Sequence, residues 1–330
     1  MTTPLTSGMR RNPIWPFLVS IFLSAFLLFQ VQLVLGKYFL PWFGGTPAMW
    51  TTCLFFFQSL LVVGYLYAHF LADRIPFHLQ GRSHAILLAC ALGLTLSLAL
   101  KWHSPVLPDP SWKPVGPQDP VWRLIVLLSV SAGIPYLALS ATGPLLQSWF
   151  AKAHPGISPY RLYGLSNLGS FLALLSYPLA VEPWFTLKVQ ARLWFAGFCV
   201  FVICCGYCAL RLRKMTARSF VRIPIPPEQD SAARPPTIGR SIFWLGLAAC
   251  GSLLFLATTN QICQNIAVVP LLWILPLSIY LLSMVICFDR PNYYSRAIFH
   301  PALVVGLAVG VFLLNEGALT KLALQIVCYS

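Results

Sequence analysis

From Ile14 onward the chain is a succession of apolar runs, each close to the length of a bilayer, separated by short polar breaks. A helix needs about 20 predominantly apolar residues to cross the hydrocarbon core. In lipid every backbone polar group must be satisfied internally, so such runs become helices or not a membrane structure at all. This pattern predicts an all-α, polytopic transmembrane bundle. Nine runs can be traced: about Ile14–Leu35, Trp50–Leu71, His84–Leu100, Trp122–Phe150, Leu162–Val181, Leu193–Leu210, Ile242–Thr258, Val268–Phe288 and Ile298–Leu314. A tenth starts near Leu319 and stops at Ser330 in mid-span, which leads to the expectation of a fragment of a longer protein.

Composition agrees. Charged residues are 9% of the chain and hydrophobic ones 58%, against about 25% charged in a soluble domain. The net charge of +14 does not point to nucleic acid, because the basic residues lie in the breaks between runs and no polar domain presents them as a face. Placed that way they act as topology signals. With the N-terminus inside, 15 Lys and Arg fall on the cytoplasmic side (Arg10, Arg11, Arg74, Arg82, Lys152, Arg161, seven between Arg211 and Arg240, Arg290, Arg296) and 7 on the other. A bacterial inner-membrane protein with a cytoplasmic N-terminus is expected. Arg10-Arg11 before the first run resembles an export signal, but that run exceeds a signal h-region and no small-x-small cleavage site follows. The first span is read as uncleaved.

Three regions follow: residues 1–210 as a first six-helix membrane half, 211–240 as a basic, Pro-rich cytosolic linker, and 241–330 as the start of a second half. Within the first half, Gly36 to Trp50 carries paired glycines, flanking prolines and several aromatics, and reads as the turn between the first two spans. Lys101–Val121 reads as an irregular external loop with Trp102 and Trp112 at the interface. Gly133, Pro135, Gly143 and Pro144 predict a kinked or discontinuous fourth span. Gly164, Gly169 and the nearby serines predict close helix approach in the fifth.

No catalytic constellation is visible, and no cofactor or metal is implied. The ten cysteines lie mostly inside apolar runs, where a thiol behaves as a small hydrophobe. Cys204, Cys205 and Cys208 read as helical packing, with palmitoylation beside Arg211 the alternative. His69, His78 and His84 read as solvated or interfacial, since their spacing fits no common metal motif. All eight acids fall in loops, in the linker or at span ends, which argues against a polyamine or proton path through these spans.

The candidate substrate-contacting groups are therefore mainly uncharged. They are Asn167 and Ser170 in the fifth span and the amides Asn260, Gln261, Gln264 and Asn265 between the seventh and eighth, read as a turn or cavity mouth. Lys37, Trp42 and Trp50 join them at the first turn, where an interfacial belt with a snorkelling lysine is the plainer reading. Asp73-Arg74 and Asp289-Arg290 are candidate gate-like cytosolic loops.

Six spans, a basic linker and further spans resemble the layout of the major facilitator superfamily, and Ala72-Asp73-Arg74 resembles part of its signature loop, with Ile75-Pro76 departing from it. A more specific resemblance rests on three segments: Leu40–Trp50 with Phe55–Gln58, Ala141–Trp149 through Ser158–Ser170, and Ala267–Leu277. Together they resemble the membrane portion of bacterial fused transporter-like/spermidine-synthase-like proteins. That resemblance implies a transporter-like module of a larger fused protein, handling a small or amphipathic solute linked to polyamine-type metabolism, or an anchor or partner module for an attached aminopropyltransferase-like domain. A structural membrane subunit is the third reading. The partners implied are the bilayer, a small-molecule solute and that soluble domain, whose activity would lie outside this chain.

Overall fold

The computed structural model describes residues 14–45, 47–114, 119–153, 160–216, 237–265, 274–289 and 295–316. All regular structure among them is helical. Among the described residues seven helices are long and apolar enough to cross a membrane, so the chain is a polytopic membrane protein. They are α1 (Trp15–Phe43), α2 (Pro47–Arg74), α3 (Phe77–Trp102), α4 (Pro120–Ala153), α5 (Arg161–Trp184), α6 (Leu187–Thr216) and α7 (Ile238–Asn265). In α8 (Ile274–Asp289) and α9 (Arg296–Glu316) the apolar stretches described, Ile274–Ile286 and Arg296–Val309, are shorter. The expected tenth run lies outside the described residues.

The helix α1 is the centre of the bundle. It packs against α4, α5 and α6, while α2 packs on α4, α3 on α4 and α6, and α8 on α5. Ile21, Val31, Leu35 and Phe39 of α1 are wholly enclosed. The apolar stretch of α7, by contrast, has no buried residue, as expected of a helix facing lipid tails as apolar as itself.

The first turn is shorter than the Gly36–Trp50 stretch expected for it. Helix α1 continues to Phe43 through Pro41, and α2 begins at Pro47. Pro41 has no N–H to give the Lys37 carbonyl, the i→i−4 bond a residue in the last turn would otherwise make, and the helix nonetheless runs on to Phe43. Gly44 ends the helix with φ 77°, its N–H donating to the Leu40 carbonyl at 2.9 Å. Such a φ is open to glycine without a Cβ penalty.

The loop after α3 is largely irregular and folds onto the bundle. Val106 and Leu107 are buried against the bundle, and Trp102 meets Trp112 edge-on at 5.5 Å. Tyr38 of α1 donates to the Pro108 carbonyl at 2.6 Å, which fastens the loop over the end of α1. The fourth span is punctuated as expected, by a π-helical turn at Ser129–Gly133, and α5 carries a second at Tyr177–Val181. Helix α6 runs on through 211–216, past the expected start of the linker, because Arg and Lys are good helix formers; residues 217–236 lie outside the description.

Candidate functional site

Side-chain polarity inside the bundle gathers in two places, near opposite ends of the spans. The first is built around the C-terminal half of α1. Gln30 donates to the Ala173 carbonyl of α5 at 2.9 Å and to Ser176 at 3.2 Å. Gln32 donates to the enclosed Tyr136 hydroxyl of α4 at 3.2 Å. Just beyond, Gln190 of α6 accepts from Tyr177 at 3.2 Å and donates to the Phe185 carbonyl at 2.8 Å and the Val181 carbonyl at 3.4 Å. These groups sit beside the π-helical turns of α4 and α5, where α-helical backbone pairing is interrupted and freed carbonyls need other donors.

This cluster ends at an ion pair. Lys37 of α1 and Glu182 of α5 meet at 2.5 Å, each side chain about a third exposed. Lys37 lies 22 residues after Trp15, about 33 Å along an ideal helix, close to the thickness of the hydrocarbon core. The pair therefore stands at a membrane boundary. Beyond the snorkelling expected of it, Lys37 has a specific partner, a carboxylate on a helix 145 residues away in sequence.

The second place is at the other end, near the start of α3. Gln80 donates to the Ala72 and Ile75 carbonyls at 3.2 and 2.8 Å, capping the end of α2, and accepts from the Trp149 indole at 3.0 Å. One turn on, His84 Nε2 meets the Thr142 hydroxyl at 3.1 Å. The His84 ring lies edge-on to Trp149 at 6.0 Å and tilted against Tyr67 of α2 at 6.2 Å. His84 is wholly enclosed, whereas His69 and His78 are exposed. The interfacial expectation thus fails for His84. Helix α3 begins at Phe77, so His84 is about 10 Å inside the helix, and Gly81 lets the α6 backbone close over that region. The Cys205 thiol of α6 adjoins Thr142 and that of Cys208 adjoins Ser20. Both cysteines are buried packing groups, and no cluster of metal-binding side chains occurs among the described residues.

Most of the residues expected to contact a substrate are not brought together. Asn167 donates to the Tyr163 carbonyl and Ser170 to the Ser166 carbonyl, both within α5. Trp42 packs on Tyr38 and Phe39 of its own helix at ring distances of 5.0 and 5.7 Å, and Trp50 of α2 lies over Gly36 of α1, so both rings are spent on packing. Asn260, Gln261, Gln264 and Asn265 are not in a turn; they fall in the helical end of α7. Asp73 and Arg74 pair with each other at 3.3 Å at the exposed end of α2. Asp289 ends α8, and Arg290 lies outside the described residues.

Sequence reasoning gave no site role to Gln80, Tyr136, Trp149 and Gln190 and read His84 as solvated or interfacial; Tyr136 and Trp149 stand in an apolar run, while Gln80 and Gln190 lie in the breaks just before the third and sixth runs. The available signal was that a ring nitrogen or amide there must find a partner. Comparison with known protein families, with curated proteins and with solved structures finds no match to this chain.

Proposed function

We propose that the chain is a transporter-like module of the bacterial inner membrane, with its N-terminus cytoplasmic, handling a small neutral or amphipathic solute. The observation that carries this reading is the distribution of polarity: two clusters enclosed between helices, near opposite membrane boundaries, with π-helical turns in α4 and α5 beside one of them. Broken helices and enclosed polar groups are what a solute path between helices uses. The link to polyamine-type metabolism and to an attached aminopropyltransferase-like domain rests on the resemblance of Leu40–Trp50, Ala141–Ser170 and Ala267–Leu277.

A polycation is a poorer fit than a neutral solute. Among the described residues Glu182 is committed to Lys37, Asp73 to Arg74, and Asp109 and Asp119 to backbone amides at helix starts. The test is flux into vesicles carrying the full gene product. Saturable uptake of a small neutral or amphipathic solute, abolished on heat denaturation, is the expected result. Absence of saturable flux across polyamines, amino acids and polyols would overturn it.

The anchor reading draws on a different fact: most enclosed amides are satisfied by backbone carbonyls, as in purely structural packing. It predicts that deleting the spans impairs the attached domain's activity, and unchanged activity would remove its basis.

A further inference from the structure

The geometry around His84 points to a binding site for a neutral hydroxyl between α2, α3 and α4, and we propose that His84 and Tyr67 together hold one. The Thr142 hydroxyl has a single proton, and it is given to the Ala138 carbonyl at 2.6 Å. Its oxygen therefore presents a lone pair to His84 Nε2 at 3.1 Å. That contact is a hydrogen bond only if Nε2 carries the imidazole proton. The tautomer is thereby set, and Nδ1 is left as a bare acceptor.

Nδ1 is enclosed and has no hydrogen-bond partner, and the same is true of the Tyr67 hydroxyl. The two rings are neighbours, with centroids 6.2 Å apart. One atom needs a donor and the other can donate, yet they do not reach each other. Buried polar groups in proteins are nearly always paired, and an orphan asks for an unplaced partner. Two complementary orphans on adjacent side chains ask for one partner that serves both.

The chemistry of that partner follows. It must donate to Nδ1 and accept from Tyr67. A carboxylate or a fully ionised phosphate has no proton for Nδ1. An ammonium has no lone pair for Tyr67. A hydroxyl does both, and two sources supply one: an enclosed water, or the hydroxyl of an alcohol or polyol solute. The site stands on local geometry and is independent of whether the chain moves a solute.

The test is nitrogen NMR on the full chain in lipid vesicles with labelled histidine. His84 is one of six histidines, assigned by subtracting the spectrum of His84→Gln. If that variant does not fold, replacing the other five by Gln isolates the signal. The expected result is a neutral Nε2–H imidazole whose Nδ1 resonates as a hydrogen-bonded acceptor and moves toward the unbonded position in Tyr67→Phe. Magnetisation transfer from water to Nδ1 without added solute identifies water as the occupant. A bonded Nδ1 that appears only on titrating glycerol identifies a solute hydroxyl. An unbonded Nδ1 with and without glycerol, an Nδ1–H tautomer, or a shift unmoved by Tyr67→Phe would each overturn the proposal.

Discussion

Three glycines set how closely the helices approach, and replacing each by alanine gives a graded result. A Cβ on Gly81 of α3 would stand 2.6 Å from the Ala209 carbonyl oxygen of α6, and one on Gly169 of α5 would stand 2.8 Å from the Phe22 carbonyl oxygen of α1. Ordinary contact begins near 3.4 Å, so the helices must part by about 0.8 Å and about 0.6 Å along those lines. Separations of that size forfeit roughly a quarter to a half of each dispersion well along the contact. Gly64 of α2 faces Ser140, whose Cβ would be 2.9 Å away, with the Ala141 amide behind it at 3.1 Å. In each case the obstacle includes backbone or a Cβ, which cannot swing aside. Overpacking costs about 1–3 kcal/mol. Gly164 of α5 and Gly206 of α6 have nothing within 4 Å of the same added atom, and there alanine gains up to about 1 kcal/mol of helix propensity. That propensity gain is common to both classes, so they should differ by the overpacking cost, roughly 1–3 kcal/mol in unfolding free energy. Denaturation of the full chain in mild detergent by increasing dodecyl sulfate, followed by helicity, measures it. If Gly81→Ala and Gly169→Ala prove as stable as Gly164→Ala, the close crossings assigned to α3–α6 and α1–α5 are wrong.

Three further outcomes are expected. Lys37→Met and Glu182→Gln should each lower stability, and a double-mutant cycle should return a coupling of about 1 kcal/mol, modest because both side chains are about a third exposed; a coupling near zero would show that the pair does not tie α1 to α5. Gln190→Leu should cost about 1–2 kcal/mol by leaving the Phe185 carbonyl and Tyr177 hydroxyl unpaired, read as faster amide exchange in 177–187 than elsewhere in α5 and α6. Asp109 accepts from the Ser111 amide, which holds its carboxyl below the ordinary value. Its contribution is therefore complete above the unfolded pKa and lost as pH falls through the lowered one. Ser111 amide protection should drop on acidification in the wild type and far less in Asp109→Asn.

The helices themselves were legible because their signal is collective. Around 20 apolar residues in a row leave the backbone no alternative in lipid, and α1 to α7 all fall on runs expected from the sequence. Their boundaries were not. The aromatic and proline-rich text after Gly36 suggested a turn, yet α1 runs on to Phe43 and absorbs the one ladder bond that Pro41 cannot make. Of the two glycines expected to permit close approach in α5, Gly169 meets α1 and Gly164 meets nothing. Which face of a helix turns inward depends on partners the local sequence does not name. The candidate site was least legible for the same reason. Asn167 and Ser170 carried the expected polarity but spend it on their own helix. His84, Gln80 and Gln190 lie at the edges of apolar runs and acquire meaning only when α2, α4 or the end of α5 is brought against them.

The placement of the enclosed amides follows from what a glutamine can do in lipid. Its side chain offers two donors and an acceptor without a charge, so it can repair a helix end or a widened turn at no Born cost. Gln80 does this at the end of α2, and Gln190 does it around the π-helical turn of α5. Gln30 reaches the same helix one turn earlier. All three also bridge two helices, so each irregularity is held from outside its own helix. An irregular turn secured this way can return to α geometry only if the neighbouring helix moves with it. The backbone of α5 is therefore coupled to α1 and α6 through side chains rather than through apolar contact alone. His84 differs in kind: its Nε2 is spent on Thr142, and its Nδ1 repairs nothing. A buried acceptor kept without a backbone to serve is better explained by a partner from outside the chain than by the needs of folding.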